Sequence, residues 1–198
     1  MKTIAENYLL DALRTFESYK KLAERAIDQI DEKEFFVVAD SESNSAAVLV
    51  KHISGNLRSR FTDFFTTDGE KPDRNRDREF ELESETREGL MADWDKNWTI
   101  LFSLLEKMKA EDLSRTVTIR SQPHTVLEAL NRQMAHYSYH VGQIVFISKM
   151  LRSGSWKSLS VPKNQSAGFN DFMSETGHKS GKHALEGTEE FVSKGEKL

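Results

Sequence analysis

The 198-residue chain contains no cysteine. That absence excludes disulfides, Fe–S clusters, thiolate zinc sites and a cysteine nucleophile together. Any metal must be held by nitrogen and oxygen ligands, and any thiol chemistry must use a thiol that arrives with a substrate. Long hydrophobic runs are missing too, and no apolar stretch approaches the length needed to cross a bilayer. The start, Met1-Lys2-Thr3-Ile4-Ala5-Glu6, leads into an amphipathic pattern instead of a signal-peptide core, so the protein reads as cytoplasmic with no membrane partner. Nor is there an excess of base. Charged residues make up 30% and apolar ones 37%, with a net charge of -4, which gives no overall pull toward nucleic acid. The length suits one domain with a sizeable core plus a tail.

What is present is helical periodicity. From Ile4 to Ile30 apolar residues recur at helical spacing, and a second stripe, Val48, Leu49, Ile53, Leu57, Phe61 and Phe64, predicts a helix from about Ser45 to Phe65. The third helix runs from about Thr86 to Met108, where Trp94 and Trp98, one turn apart, read as core filling ahead of pocket lining. The fourth, from about Thr125 to Leu151, opens on the capping-box sequence Thr125-Val126-Leu127-Glu128. Between the first two helices Asp31 to Asn44 is a connection, with Phe35-Phe36-Val37-Val38 apolar enough to be tucked against the core and its conformation left open. Thr66 to Glu85 is charge-dense, and Lys71 to Arg78 reads as a solvated loop. Its length lets the chain cross the bundle end, where a short turn would force an antiparallel neighbour. Leu113 to Arg120 alternates like a short strand or extended segment, and Gln122-Pro123-His124 then breaks the chain, with His124 a loop histidine.

The fold class is therefore all-α: a four-helix bundle over 1–152 with a long crossover between helices 2 and 3, and an extended C-terminal segment. Residues 153–172 are expected to be ordered and laid on the bundle by Trp156, Leu159, Val161 and Phe169. Six of the ten glycines lie in Ser153 to Leu198, and residues 173–198 read as a mobile tail. Its two histidines, His178 and His183, are five apart in that Gly-rich stretch and are not counted as ligands.

The chemistry sits in His136-Tyr137-Ser138-Tyr139-His140. Two histidines four apart on a helix lie one turn above each other, so both imidazoles can reach a single point, which is metal-ligand spacing. Ordinary half-buried helix histidines are the alternative. His52 falls inside the stripe of the second helix and points toward the core, where a ring nitrogen left unpaired costs roughly 1–3 kcal/mol. Its partner is a carbonyl, a hydroxyl, a water, or a metal shared with His136 and His140. Three nitrogen ligands leave a coordination position open, the arrangement of a catalytic centre. Zn²⁺ suits neutral imidazoles, and Ni²⁺ and Fe²⁺ are compatible with the same ligand type. Gln143, three after His140, shares their side as a contact to the histidines or to a bound cofactor or substrate. The zincin pattern fails, because no glutamate stands between the two histidines. A metal-activated hydrolase would need a base that the sequence does not offer.

Interior His52 on the second helix, followed by His136-Tyr137-Ser138-Tyr139-His140-Val141-Gly142-Gln143-Ile144 on the fourth, resembles the DinB-like (YfiT-like) superfamily of four-helix-bundle metalloenzymes. The continuation Trp156-Lys157-Ser158-Leu159 through Pro162 to Phe169-Asn170 looks like the segment after that helix in an uncharacterised branch of the group. The resemblance spans roughly Met1 to Asn170. It implies a bundle with a long second crossover, and a divalent transition metal (Zn, Ni or Fe) on His52, His136 and His140. It also implies a transferase using a low-molecular-weight thiol on a small-molecule substrate, and a homodimer. The alternatives are a metal-activated hydrolase and a non-enzymatic metal- or ligand-binding dimer.

Overall fold

Each bundle helix begins on a side chain that accepts a hydrogen bond from the first turn, so four boundaries are set locally. In the computed structural model, which describes residues 2–180 and 184–195, α1 (Ile4–Ile27) starts on a reciprocal box between Thr3 and Glu6. Ser45 caps α2 (Ala46–Phe61) and Thr86 caps α3 (Arg87–Lys107). Thr125 opens α4 (Val126–Arg152) through the predicted box, its Oγ1 accepting from Glu128 N at 3.2 Å. The first two helices end three or four residues earlier than their apolar stripes suggested.

The helix directions follow from which residues meet. Arg87, at the start of α3, donates to Ile27 O and Ile30 O at the end of α1. Trp94 Nε1 then donates to Glu24, and Phe16 meets Trp98, so α1 and α3 are antiparallel. Lys51 in the first half of α2 pairs with Glu85 just ahead of α3, which puts the starts of α2 and α3 at the same end. Tyr8 donates to Asn131 and Phe16 meets Tyr137, so α4 runs with α1. The order is up-down-down-up, and the long crossover is what makes the parallel α2–α3 step possible. Trp98, Phe16 and Tyr137 form the aromatic centre with ring centroids 5.6–6.4 Å apart. Both tryptophans are fully buried, as core residues.

Two connections differ from expectation. Gln122-Pro123-His124 does not break the chain: β1 (Thr116–Ile119) and β2 (Gln122–Thr125) pair antiparallel, with Thr118 opposite Pro123. A two-stranded ribbon has only edges, so proline's missing N–H is tolerated. The stretch left open before α2 holds one 3-10 turn, Glu34–Phe36, which buries Phe35 and leaves Val37 and Val38 exposed.

The chain divides into two compact units, Met1–Leu151 and Arg152–Leu198. The second contains α5 (Ser166–Ser180) and α6 (Ala184–Gly195), so helices stand where an extended segment and a tail were expected. Phe191 of α6 packs between Phe169 and Phe172 of α5, at 5.3 and 5.6 Å. Glycine-rich composition masked this pairing in the sequence. His183 and the His178 side chain lie outside the described residues. No described helix is long and apolar enough to cross a membrane.

Candidate metal centre

Antiparallel packing of α2 against α4 carries His52 across to the His136–His140 pair. His52 and His140 are buried, and His136 is half-buried. His52 Nε2 lies 3.2 Å from His136 Nε2, and His140 Nε2 lies 3.2 Å from the same atom. The three ligand atoms fall within 4.8 Å of one another.

The other ring nitrogens decide what these atoms are. His52 Nδ1 donates to Glu79 Oε2 at 2.8 Å, and His140 Nδ1 donates to Gln143 Oε1 at 2.8 Å. With Nδ1 protonated in both rings, each Nε2 is a lone pair facing His136. His136 Nε2 can donate to at most one of them, so hydrogen bonding within the trio leaves lone pairs opposed. A single cation meets all three. Tetrahedral Zn–N bonds of about 2.0–2.1 Å place ligand nitrogens roughly 3.3 Å apart, close to the two spacings seen. The protons are already off: burial, then His140 and His52, pushes His136 down to about 3, and burial, with help from His52 and Arg76, pushes His140 down to about 4. Neutral imidazole is the ligand form.

Glu79 was not visible as a site residue in the sequence, where its neighbours Lys71 to Arg78 read as a solvated loop. That reading is corrected for Arg74 and Glu79, which turn inward. Glu79 is buried and Arg74 forks onto it with Nε–Oε1 and Nη2–Oε2 both at 2.8 Å, its own side chain almost fully enclosed. Burial raises the Glu79 carboxyl, but the hydrogen bonds from His52 and Arg74 outweigh it and hold the group below the usual carboxylate range. Gly55 makes the room: a Cβ there would stand 2.8 Å from Glu79 Cδ. Spacing alone gave no sign of this partner. The one usable signal was Phe80, the only aromatic between Thr66 and Glu85, whose ring packs over His52 at 4.6 Å.

The remaining predicted residues divide cleanly. Gln143 is exposed and orients His140, so it supports the histidines. His124 stays apart on β2, its Nδ1 donating to Gln122 O at 3.0 Å. Tyr139 lies against His140, ring centroids 4.1 Å apart, on the side where the cluster meets a cavity of about 390 Å³ lined by His52, His136 and Gln133 among others.

These features define a helical bundle with an internal cluster of three imidazoles, oriented from behind and able to hold a metal ion. A family model described as "Protein of unknown function (DUF1572)" matches residues 3–165, and the chain belongs to that family. No curated protein matches it.

Proposed function

We infer that the protein is a divalent-metal-dependent enzyme of the DinB-like (YfiT-like) kind, with His52, His136 and His140 as ligands to Zn, Ni or Fe. One observation carries this: Glu79 and Gln143 each take an Nδ1 proton, which leaves the Nε2 lone pairs turned on one point. A carboxylate on the far ring N–H, as Glu79 is on His52, is a usual support of a metal-ligating histidine.

The reaction class that fits is transfer to or from a low-molecular-weight thiol. A divalent metal on the three histidines would lower the pKa of a thiol at its open position and favour the nucleophilic form at neutral pH. The chain's own residues do the rest. Glu79 and Gln143 fix the tautomer of two imidazoles, Arg74 keeps Glu79 ionised, and Phe80 and Tyr139 shield the rings from bulk water. A hydrolase is disfavoured because Glu79, the carboxylate beside the cluster, already has both oxygens occupied by Arg74 and His52. The resemblance adds pairing as a homodimer to the proposal.

Elemental analysis of protein purified without a polyhistidine tag, wild type beside His136→Ala, tests the centre. About one equivalent of a divalent transition metal in the wild type, lost in the variant, is the expected result. Absence of metal from both after exposure to Zn²⁺, Ni²⁺ and Fe²⁺ would overturn it and make the protein a non-enzymatic binding bundle. With metal in place, turnover of an electrophile that depends on added thiol supports the transferase; turnover without thiol refutes it.

A further inference from the structure

The cavity beside the histidines has an unusual wall. Five arginines line it, Arg60 from α2, Arg74 and Arg76 from the crossover, Arg120 from the hairpin turn and Arg132 from α4, and no carboxylate does. This concentration occurs in a chain of net charge -4. The carboxylates behind the wall leave much of its donor capacity unused. Glu70 is shared among Arg60 at 3.0 Å, Arg74 at 3.3 Å and Arg120 at 3.1 Å, while Glu79 is taken by Arg74 and His52. Arg76 lies over the Phe80 ring at 5.0 Å, and its ion-pair contact with Asp77 is distant and exposed at 3.9 Å. Arg132 is exposed and pairs with no described carboxylate.

Two buried polar atoms belong to the same wall. Arg60 and Gln133 are 5% and 3% exposed, yet Arg60 Nε and Gln133 Oε1 have no hydrogen-bond partner. Buried donors and acceptors are almost always paired, so these two mark where a ligand would pair with them. The hairpin is built to the same end. Arg120 and Ser121 form its two-residue turn with φ of 55° and 61°, a conformation that favours asparagine and glycine. Asp68 holds it by accepting from both turn amides, at 2.9 and 2.7 Å. A strained turn that presents an arginine beside the candidate centre fits the pattern of backbone strain kept at functional sites.

We propose that this cavity is an oxyanion subsite: the small molecule that reaches the three histidines carries a phosphate or carboxylate group, received by Arg132, Arg76 and Arg120 over a floor of Arg60 Nε and Gln133 Oε1. The guanidinium forks supply paired N–H donors to the anion. Gln133 Oε1 accepts from a hydroxyl or N–H of the same molecule. A cavity of about 390 Å³ takes one metabolite and no polymer. The substrate assignment rests on the reading of the histidines as the reactive centre, whereas capture of the anion needs only the arginines.

Calorimetric titration of the full chain with inorganic phosphate, and separately with succinate, tests this on chelator-treated and metal-reloaded protein, with elemental analysis of every sample. Arg76→Gln/Arg132→Gln removes two exposed arginines, and Lys149→Gln removes an exposed charge elsewhere on α4. Metal-free wild type is expected to bind one of the two anions, weakened about tenfold or more in the double variant and unchanged in Lys149→Gln. Tighter phosphate identifies a phosphoryl group, and tighter succinate a carboxylate. Binding of neither anion, or equal binding by the double variant, overturns the proposal even where metal is retained. Anion binding with the expected variant pattern but no metal would sustain the subsite and refute the metal centre instead.

Discussion

Replacing Glu79 by glutamine probes stability and the centre in one substitution. The native carboxylate is 7% exposed and accepts three hydrogen bonds, from His52 Nδ1, Arg74 Nε and Arg74 Nη2, each at 2.8 Å. Glutamine keeps the shape but turns one oxygen into a donor, so one of these N–H groups loses its acceptor. Arg74, with its side chain 2% exposed, would keep Glu70 at 3.3 Å as its carboxylate partner and face a neutral group where Glu79 was. Breaking one side of a buried ion pair costs about 3–5 kcal/mol, and the surviving acceptor oxygen argues for the lower end. At about 2–4 °C per kcal/mol for a domain of this size, the metal-free Tm falls by roughly 6–12 °C. Loss of the group that orients His52 in the proposed centre further lowers metal affinity about 10- to 100-fold. Thermal melts in chelator read the first quantity and a competition titration reads the second. A metal-free melt within about 1 °C of wild type, beside unchanged metal affinity, would refute both the buried pair and its role in aiming His52.

Three further outcomes follow from the same geometry. Gly55→Ala puts a methyl 2.8 Å from Glu79 Cδ, so the carboxylate must shift, and metal affinity and metal-free Tm both fall in the direction of Glu79→Gln; unchanged values would show that Glu79 can move freely. Gln143→Leu alters an exposed residue whose amide accepts from His140 Nδ1, so Tm stays within about 1 °C of wild type while metal affinity drops about 10- to 100-fold. His136 and His140 are held down to about 3 and about 4, below the ordinary histidine value of 6.5. The unfolded chain therefore takes up protons that the native state refuses, and metal-free stability is full above pH 6.5 and declines as pH falls from there toward 4. Melts between pH 6.5 and 5, above the usual carboxylate range, should slope downward in wild type and flatten in His136→Leu/His140→Leu; parallel slopes would refute the assignment.

The helices and the histidine trio were legible in the sequence because both depend on one period. Val48, Leu49, Ile53 and Leu57 define the buried face of α2, and His52 on that face has to point inward. The i, i+4 spacing of His136 and His140 puts both rings over one spot. The partners of those rings were legible only in part. Gln143 sits three residues from His140 on the same helix, and local spacing finds it. Glu79 reaches His52 from 27 residues away in sequence, within a run of mixed charge, and no periodicity links the two. The β2 strand was hidden by Pro123, which normally argues against a strand, and α6 by a glycine-rich context.

The long crossover between α2 and α3 does two jobs with one length of chain. A short turn after Phe61 would send the next helix back antiparallel, leaving the α2 side of the histidines with no segment to cover it. The crossover instead returns the chain to the starting end of α2, and on the way it passes over His52. There it leaves Phe80 on the ring face, Glu79 on Nδ1, and Arg74 and Arg76 in the wall of the cavity. Gly69 N donates to Thr118 O at 2.7 Å and Asp68 grips the Arg120-Ser121 turn, so the same segment also fixes the hairpin that carries Arg120. The charge density of this stretch has a physical reason beyond solvation. A segment that orients an imidazole and supplies guanidinium groups must bring its own counter-charges, and Glu70 and Glu79 are those counter-charges. Shortening the crossover would therefore remove the topology and the lining of the site together.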